Sequence, residues 1–575
     1  MWSGSGRWYG NRADPACDVR WLHCAGGGLP LLPLLAALAF SWGMASANTA
    51  ASRALASAAE SDPIQLESGQ ISGKRLVSGV RAYLGVPFAL PPVQQLRWRE
   101  PRPVAPWHGI LHADHAAPAC IQPFRVDEIN QDFGVRSSSE DCLYLDVWVP
   151  PSATPQSHVP VIVWIHGGGF KVGSASAPSY SGEFLARNGV IYVSIAYRLG
   201  ALGLLAHPWL TLESAHHCSG NYAFLDQIAA LRWVQRNIRQ FGGDPRRVTL
   251  MGQSAGAMAV SILQSSPLAA GLFQHAVGMS GGSIDLTTAG RVRSLSEAER
   301  DGIQLQQALG VKDLAALRNL SADRIVHAQS AIRADYGAAV DSYLLPAPPA
   351  ELFSAKRRND VALLLGFTRD ESFSEMSRAR NLREYKDYAR KLYGTRADEL
   401  LSLYPASNDA EARRAATDVG RDGSLAVEMR TWARAQVTNG REPVYVYMFS
   451  RVHPYVPGIR FSGDDPRTLG AYHMGDIPYW LGTLQSMNAI RQTRAWTPLD
   501  MQLSQEMMNA LVTFARTGRP SRIAGVEWPR YSPRRERVLE LGDTTRVIGW
   551  PDDQKLDFFM TTGPHPSRVG AAGEP

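Results

Sequence analysis

The chain has 575 residues, 45% hydrophobic and 19% charged, with 51 Gly and 37 Pro. That is globular composition, and it excludes collagen-like, coiled-coil and disordered chains. At about 150 residues per domain the length suggests nearly four domains. The formal charge of +6, from 59 basic against 53 acidic residues, hints at nucleic acid, but no basic block or basic–aromatic stripe supports that partner.

The first element is a leader. Residues 29–40 (LPLLPLLAALAF) follow Arg7, Arg12 and Arg20 and precede Ala45-Ser46-Ala47. Positive region, apolar region and small-residue cleavage site, in that order, predict an export signal over residues 1–47. The run is too short to cross a bilayer, and Pro30 and Pro33 interrupt it. Cys24 lies before the run, which fits a lipid anchor poorly. The expectation is a secreted or periplasmic protein with no stable membrane anchor. Removal of the leader takes three Arg and two Asp and leaves +5. Cys17 and Cys24 go with it, leaving Cys120, Cys142 and Cys218. An exported chain oxidises one pair. Sequence proximity favours Cys120–Cys142, a closure that contributes about 3 kcal/mol on the chain-entropy model. Cys218 reads as a buried thiol; His216 and His217 beside it lack a second ligand pair at zinc spacing.

Short apolar runs then alternate with helical patterns. Val159 to His166 and Gly189 to Ala196 are β-branched and nearly continuous, as expected of parallel strands buried on both faces. Phe224 to Phe241 repeats apolar residues at helical spacing until Gly242-Gly243 stops it. Val248–Met251 predicts a strand, and Ala255–Gln264 a helix. The stretch from about Ser294 to Asp398 is helix-rich and polar, predicting an inserted helical cover. The alternation predicts an α/β fold with a mostly parallel sheet. Residues 48–562 form one large domain on this reading, and a Gly/Ala/Pro tail, 563–575, is expected to be disordered.

Gly252-Gln253-Ser254-Ala255-Gly256 fits the nucleophile elbow G-x-S-x-G, a strand-to-helix turn so tight that small residues must flank the serine. Gly278-Met279-Ser280-Gly281-Gly282 fits the same pattern, but the glycines after it cannot start a helix, so Ser280 reads as a strand-end turn. A serine hydroxyl needs a base, and the base needs an orienting carboxylate. In this class of site the order is Ser, acid, His. His453, His473 and His565 follow the candidate acids. His565 falls in the tail, and His453 sits before Pro454 in what reads as a surface turn. His473 lies in a Gly-bounded loop among aromatic residues. Asp370-Glu371 follows the apolar run ALLLGF, so one of the two emerges at a strand's C-terminal end. Adjacent residues of an extended chain point oppositely, so one carboxylate faces His473 and the other does not. The run His166-Gly167-Gly168-Gly169-Phe170 is of the HGGG type that supplies oxyanion-binding N–H groups. A phosphate-loop reading of Gly167, Gly169 and Gly173 fails, because the Lys-Ser/Thr ending and the dinucleotide spacing are missing.

From about Ile64 to Tyr531 the chain resembles the type-B carboxylesterase family, which also contains the cholinesterases. The matching stretches include YLGVPFALPP from Tyr83, LRW from Leu96, SEDCLYLDVW from Ser139, HGGGF, YRLG from Tyr197, FGGDP from Phe241, GQSAG, FARTG from Phe514 and WPRY from Trp528. The resemblance implies an α/β-hydrolase fold with Ser254 as nucleophile, Glu371 rather than Asp370 as acid, and His473 as base. It implies an oxyanion hole from the N–H groups of Gly168, Gly169 and Ala255, a Cys120–Cys142 disulfide, and an ion pair between Arg97 and Glu140. The small-molecule substrate is then an ester, and no metal or cofactor is needed. Three positions depart from the pattern. Gln253 stands where Glu is more usual, Ser372 where Gly is common, and the Cys120–Cys142 loop lacks the Trp with which cholinesterases hold a quaternary ammonium. A choline-ester specialist is not expected, and the pattern looks more like bacterial members. The rival readings are a hydrolase of carbamate, amide or polycarboxylate (tricarballylic-type) esters with the same triad, and an adhesion-type family member that has lost catalysis. The intact triad and glycines argue against the second rival.

Overall fold

A strand covered on both faces needs apolar residues at odd and even positions alike. The run from Val159 meets that demand and lies at the centre of an 11-stranded sheet. The computed structural model describes residues 61–123, 135–284, 291–461, 465–550 and 553–561. The leader at 1–47, the tail at 563–575 and His565 lie outside the described residues.

In chain order the sheet comprises β1 (Lys74–Arg75), β2 (Arg81–Pro87), β3 (Tyr144–Val149), β4 (Val159–Ile165), β5 (Ile191–Ile195) and β6 (Gly243–Gln253). It continues with β7 (His275–Met279), β8 (Ala362–Thr368), β9 (Val444–Phe449), β10 (Arg537–Leu541) and β11 (Arg546–Gly549). Their spatial order is β11-β10-β9-β8-β7-β6-β4-β5-β3-β2-β1. Neighbours from β10 across to β5 pair in parallel, and the pairings beyond them at both edges are antiparallel. The sheet is therefore mostly parallel, as the alternation of elements predicts.

Two helices pack on the face that receives Val161, Val163 and Ile165: α1 (Tyr222–Asn237) and α2 (Ala255–Ser265). Ile162 and Trp164 point to the opposite face, where Met507, Leu511 and Phe514 of a C-terminal helix cover them. β6 is longer than Val248–Met251. It pairs with β4 at both Gly243 and Val248, and the register shifts between the two contacts. α1 starts two residues before Phe224 and its α-helical part ends at Asn237, followed by a 3-10 turn that Gly242 terminates in the left-handed region at φ 94°. The helical cover is interrupted: α3 (Leu295–Leu309) and α4 (Ala322–Ala331) precede the core strand β8, and α5 (Asp409–Arg421) and α6 (Val427–Asn439) follow it. The helix over the opposite face is α7 (Pro498–Thr517).

The chain crosses from β4 to β5 on one side and returns to β6 on the other side of β4. This reversal is a topological switch point, and open α/β sheets bind ligands in the crevice at the carboxyl ends of such strands. The glycine loop leaves the carboxyl end of β4, Ser254 that of β6, and Glu371 follows β8 by three residues. The loop carrying His473 follows β9. Chain segments hundreds of residues apart thus deliver their chemistry to one edge of the sheet.

Candidate active site

Ser254 sits between β6 and α2 with φ 57° and ψ −125°, a region that an L residue occupies only under constraint. The constraint is steric and local. A Cβ on Gly252 would stand 2.4 Å from the Gly256 carbonyl, and one on Gly256 would stand 2.1 Å from Ile165 O. Both glycines are needed so that the strand and helix can pass this closely. The Ser254 N–H donates to Met279 O on β7 at 2.8 Å, which fixes the turn from the side. Ser280, the second pattern match, is a buried residue directly after β7, and no helix starts in residues 281–284, the described residues that follow it.

Glu371 is 1% exposed. One carboxylate oxygen accepts the Thr368 N–H at 3.0 Å, and the other lies 2.7 Å from His473 Nδ1. A buried carboxylate at that distance selects the tautomer with the proton on Nδ1 and leaves the lone pair on Nε2. The Phe373 ring meets the imidazole edge-to-face, with centroids 4.6 Å apart. At Nε2 the hydrogen-bond partner among the described residues is not Ser254 but Gln253, whose side-chain nitrogen is 3.0 Å away. Catalytic hydrogen bonds often tighten only once substrate is bound.

Asp370, the other half of the acidic pair, has partners of its own. It forms ion pairs with Arg369 at 2.7 Å and Arg414 at 3.2 Å, and it accepts the Ala471 N–H at 2.8 Å. It therefore ties the Glu371 segment to the loop that carries His473, two residues before that histidine. Ser372 needs no glycine-like backbone, since it is absent from the positive-φ residues. Its hydroxyl instead occupies the space that a side chain at Gly420 would fill.

His453 is buried rather than in a surface turn. Its Nε2–H donates to Gly475 O at 2.7 Å, and burial pushes the imidazole down to about 3. It is a neutral strut under the His473 loop, among Tyr472, Tyr479 and Trp496. Asp476 escapes notice in the sequence although it follows His473 by three residues. Burial raises its carboxyl to about 6. Tyr447 donates to one oxygen at 2.7 Å, while the other is buried without a partner.

The glycine loop places Gly168 at φ 109°, Gly169 at φ 63° and Phe170 at φ 58°. A Cβ on Gly168 would strike Val172 O at 2.0 Å, whereas the space beside Gly169 is open. Among the described residues neither the Gly168 nor the Gly169 N–H donates to a protein acceptor. The Ala255 N–H opens α2, where no intrahelical acceptor exists. His166, which leads into the loop, is neutral: burial lowers it to about 4, and it stacks on Tyr197.

Away from this edge, Cys120 and Cys142 are joined by a disulfide, and Arg97 meets Glu140 in a two-bonded pair at 2.6 and 2.5 Å. Arg97 also donates to Arg318 O and Leu320 O, linking the N-terminal strands to the helical cover. The Cys218 thiol is buried and raised to about 12, chiefly by burial. Among the described residues no group of three or more His, Cys, Asp or Glu is placed to hold a metal, and no helix is long and apolar enough to cross a membrane.

Residues 60–559 match the carboxylesterase family model. The chain is 35% identical over 554 residues to the fumonisin B1 esterase of Sphingopyxis macrogoltabida, covering 93% of this chain and 95% of that one. It is 32% identical over 515 residues to the para-nitrobenzyl esterase of Bacillus subtilis, covering 86% and 97%. A solved PNB esterase superposes with a TM-score of 0.72 at 31% identity, covering 86% of this chain and 99% of that one. The sheet and its helices are thus an α/β-hydrolase fold. The chain belongs to the carboxylesterase family and is a hydrolase of carboxylic esters.

Proposed function

We propose that the protein is an exported serine carboxylesterase that works through an acyl-enzyme with the triad Ser254, Glu371 and His473. The observation that carries this reading is the 2.7 Å contact of His473 Nδ1 with the buried Glu371, on the same sheet edge as the elbow serine. Ser254 Oγ attacks the ester carbonyl as His473 Nε2 takes its proton. Glu371 holds the imidazole and stabilises the imidazolium. The N–H groups of Gly168, Gly169 and Ala255 receive the oxyanion, at about 2.7–4 kcal/mol of transition-state stabilisation per donor. The alcohol leaves with the proton from His473. Water then gives a proton to His473 and attacks the acyl group, and Ser254 recovers its proton as the acid departs.

The proposed chain architecture is a cleaved leader at 1–47, one catalytic domain over 48–562, and a short tail. The Cys120–Cys142 disulfide supports an oxidising destination, secreted or periplasmic. The similarity to a fumonisin B1 esterase favours a second reading of the substrate, an ester of the fumonisin B1 kind cleaved by the same groups. A short-chain p-nitrophenyl ester assay on the mature protein and on Ser254→Ala tests the enzyme reading, and equal rates would overturn it. A panel of aryl, alkyl, carbamate, amide and tricarballylic-type substrates separates the substrate readings by their kcat/KM.

A further inference from the structure

Gln122 lies two residues beyond Cys120 and is buried. Its side-chain oxygen accepts the Gly173 N–H at 2.8 Å, and its side-chain nitrogen donates to Gly173 O at 2.7 Å. The same nitrogen donates to Cys120 O at 3.0 Å. Both amide hydrogens and the oxygen are thus engaged. Two of the three bonds grip both backbone groups of a single residue, as a neighbouring strand would.

Gly173 closes the glycine loop. It stands at φ 128°, and a Cβ there would lie 2.3 Å from the His166 ring. Between its ends the loop is tied within itself by the Lys171 and Val172 N–H groups to Gly168 O at 3.1 Å each, and to the rest of the chain by Phe170 O, which accepts the Gly200 N–H at 2.6 Å. Phe170 and Val172 bury their side chains, while a small cavity lined by Cys120, His166 and Gly173 borders the Gly173 end of the loop, where the Gln122 bonds hold it. Cys120 is itself fixed by the disulfide to Cys142, two residues before β3. A continuous chain of bonds therefore runs from the sheet through the disulfide and the Gln122 amide to the loop that carries the Gly168 and Gly169 N–H groups.

We propose that Gln122 is the positioning residue of the oxyanion loop, with the Cys120–Cys142 disulfide as its anchor. The proposal rests on the reading of that loop as the oxyanion hole of a serine esterase. Gln122 touches no reacting atom. It acts by keeping the two glycine donors aimed at the developing oxyanion, where a misplacement of about 1 Å costs on the order of 100-fold in rate.

The test uses Gln122→Met, which keeps length and loses every bond, and Gln122→Glu, which keeps an acceptor for Gly173 and loses both donors. A Cys120→Ser/Cys142→Ser chain removes the anchor. Each is measured with p-nitrophenyl acetate and with a trifluoromethyl ketone, whose serine adduct carries an oxyanion. The expected result for Gln122→Met is a kcat about 100-fold lower with KM little changed. Ketone affinity should fall by the same factor as kcat/KM. Gln122→Glu and the double-Ser chain should fall in between. A merely structural role would lower the amount of folded enzyme without changing kcat per active site or ketone affinity, and that outcome overturns the proposal. If Gln122→Met does not fold, unchanged kcat and ketone affinity in either other chain overturns it equally. An active Ser254→Ala would instead remove the parent reading and leave the role of Gln122 in the loop a separate matter.

Discussion

Gln253 donates its side-chain N–H to Nε2 of His473 across 3.0 Å, so the lone pair that takes the serine proton in the proposed mechanism is engaged by the residue immediately before Ser254. The contact joins positions 220 residues apart and turns a departure from the family pattern into part of the site. A neutral amide there places no negative charge beside the imidazole. With the more usual glutamate, a carboxylate would stabilise the protonated imidazolium.

Gln253→Glu is therefore expected to move the acidic limb of the kcat/KM–pH profile upward by about one pH unit or more. The fold and the alkaline limb should hold. An acidic limb that stays in place would show that Gln253 does not act on His473.

Glu371→Gln should leave the buried geometry nearly intact but remove the charge that fixes the tautomer and stabilises the imidazolium. Loss of kcat by about 10⁴-fold is expected, as for an orienting carboxylate in a Ser-His-Asp triad. Asp370→Asn should cost far less, because it keeps an acceptor for Ala471 and lies outside the proton path. Equal losses in the two variants would place the orienting charge on the wrong residue.

Asp476 makes a prediction about stability. Burial raises its carboxyl to about 6 from an ordinary value of 3.8. The folded state therefore binds more protons than the unfolded state between those values, so its contribution is full below about pH 4 and lost as pH rises through 6. Asp476→Asn keeps an acceptor for Tyr447 and should stabilise the chain above pH 6, by about 2–3 kcal/mol at most. Denaturant melts at pH 4 and pH 7 provide the check, and a variant less stable than the parent at pH 7 would refute the assignment.

Gly256→Ala places a methyl 2.1 Å from Ile165 O, a backbone atom with no room to yield. Destabilisation of about 1–3 kcal/mol is expected from overpacking, together with loss of the serine's exposed geometry. Retained activity at parental stability would mean that the strand-to-helix approach is looser than described.

The elbow, the glycine loop and the strand alternation are legible in the sequence because each answers a local demand. A tight turn needs Gly252 and Gly256, a close approach needs Gly168, and a doubly covered strand needs apolar residues at every position of β4. Chain order then narrows the base to His453, His473 and His565, and the Gly-bounded aromatic loop favours His473. Other features depend on tertiary contacts that no local pattern encodes. His453 reads as a surface residue because prolines flank it nearby, yet the aromatic rings that bury it come from positions 472 to 496. The partners of Asp370 have no local signature, because Arg414, one of them, belongs to a helix about forty residues further on. Gln122 carries one faint signal, its spacing from Cys120, and nothing local connects it with Gly173.

The central claim is that Ser254 carries the acyl group. The most direct measurement is mass spectrometry of the mature protein quenched during turnover of a slowly deacylating ester. The account predicts one acyl adduct, on the peptide containing Ser254, absent from Ser254→Ala and decaying at the rate of product release. Hydrolysis with no adduct on that peptide, or an adduct on another residue with turnover intact in Ser254→Ala, would contradict it.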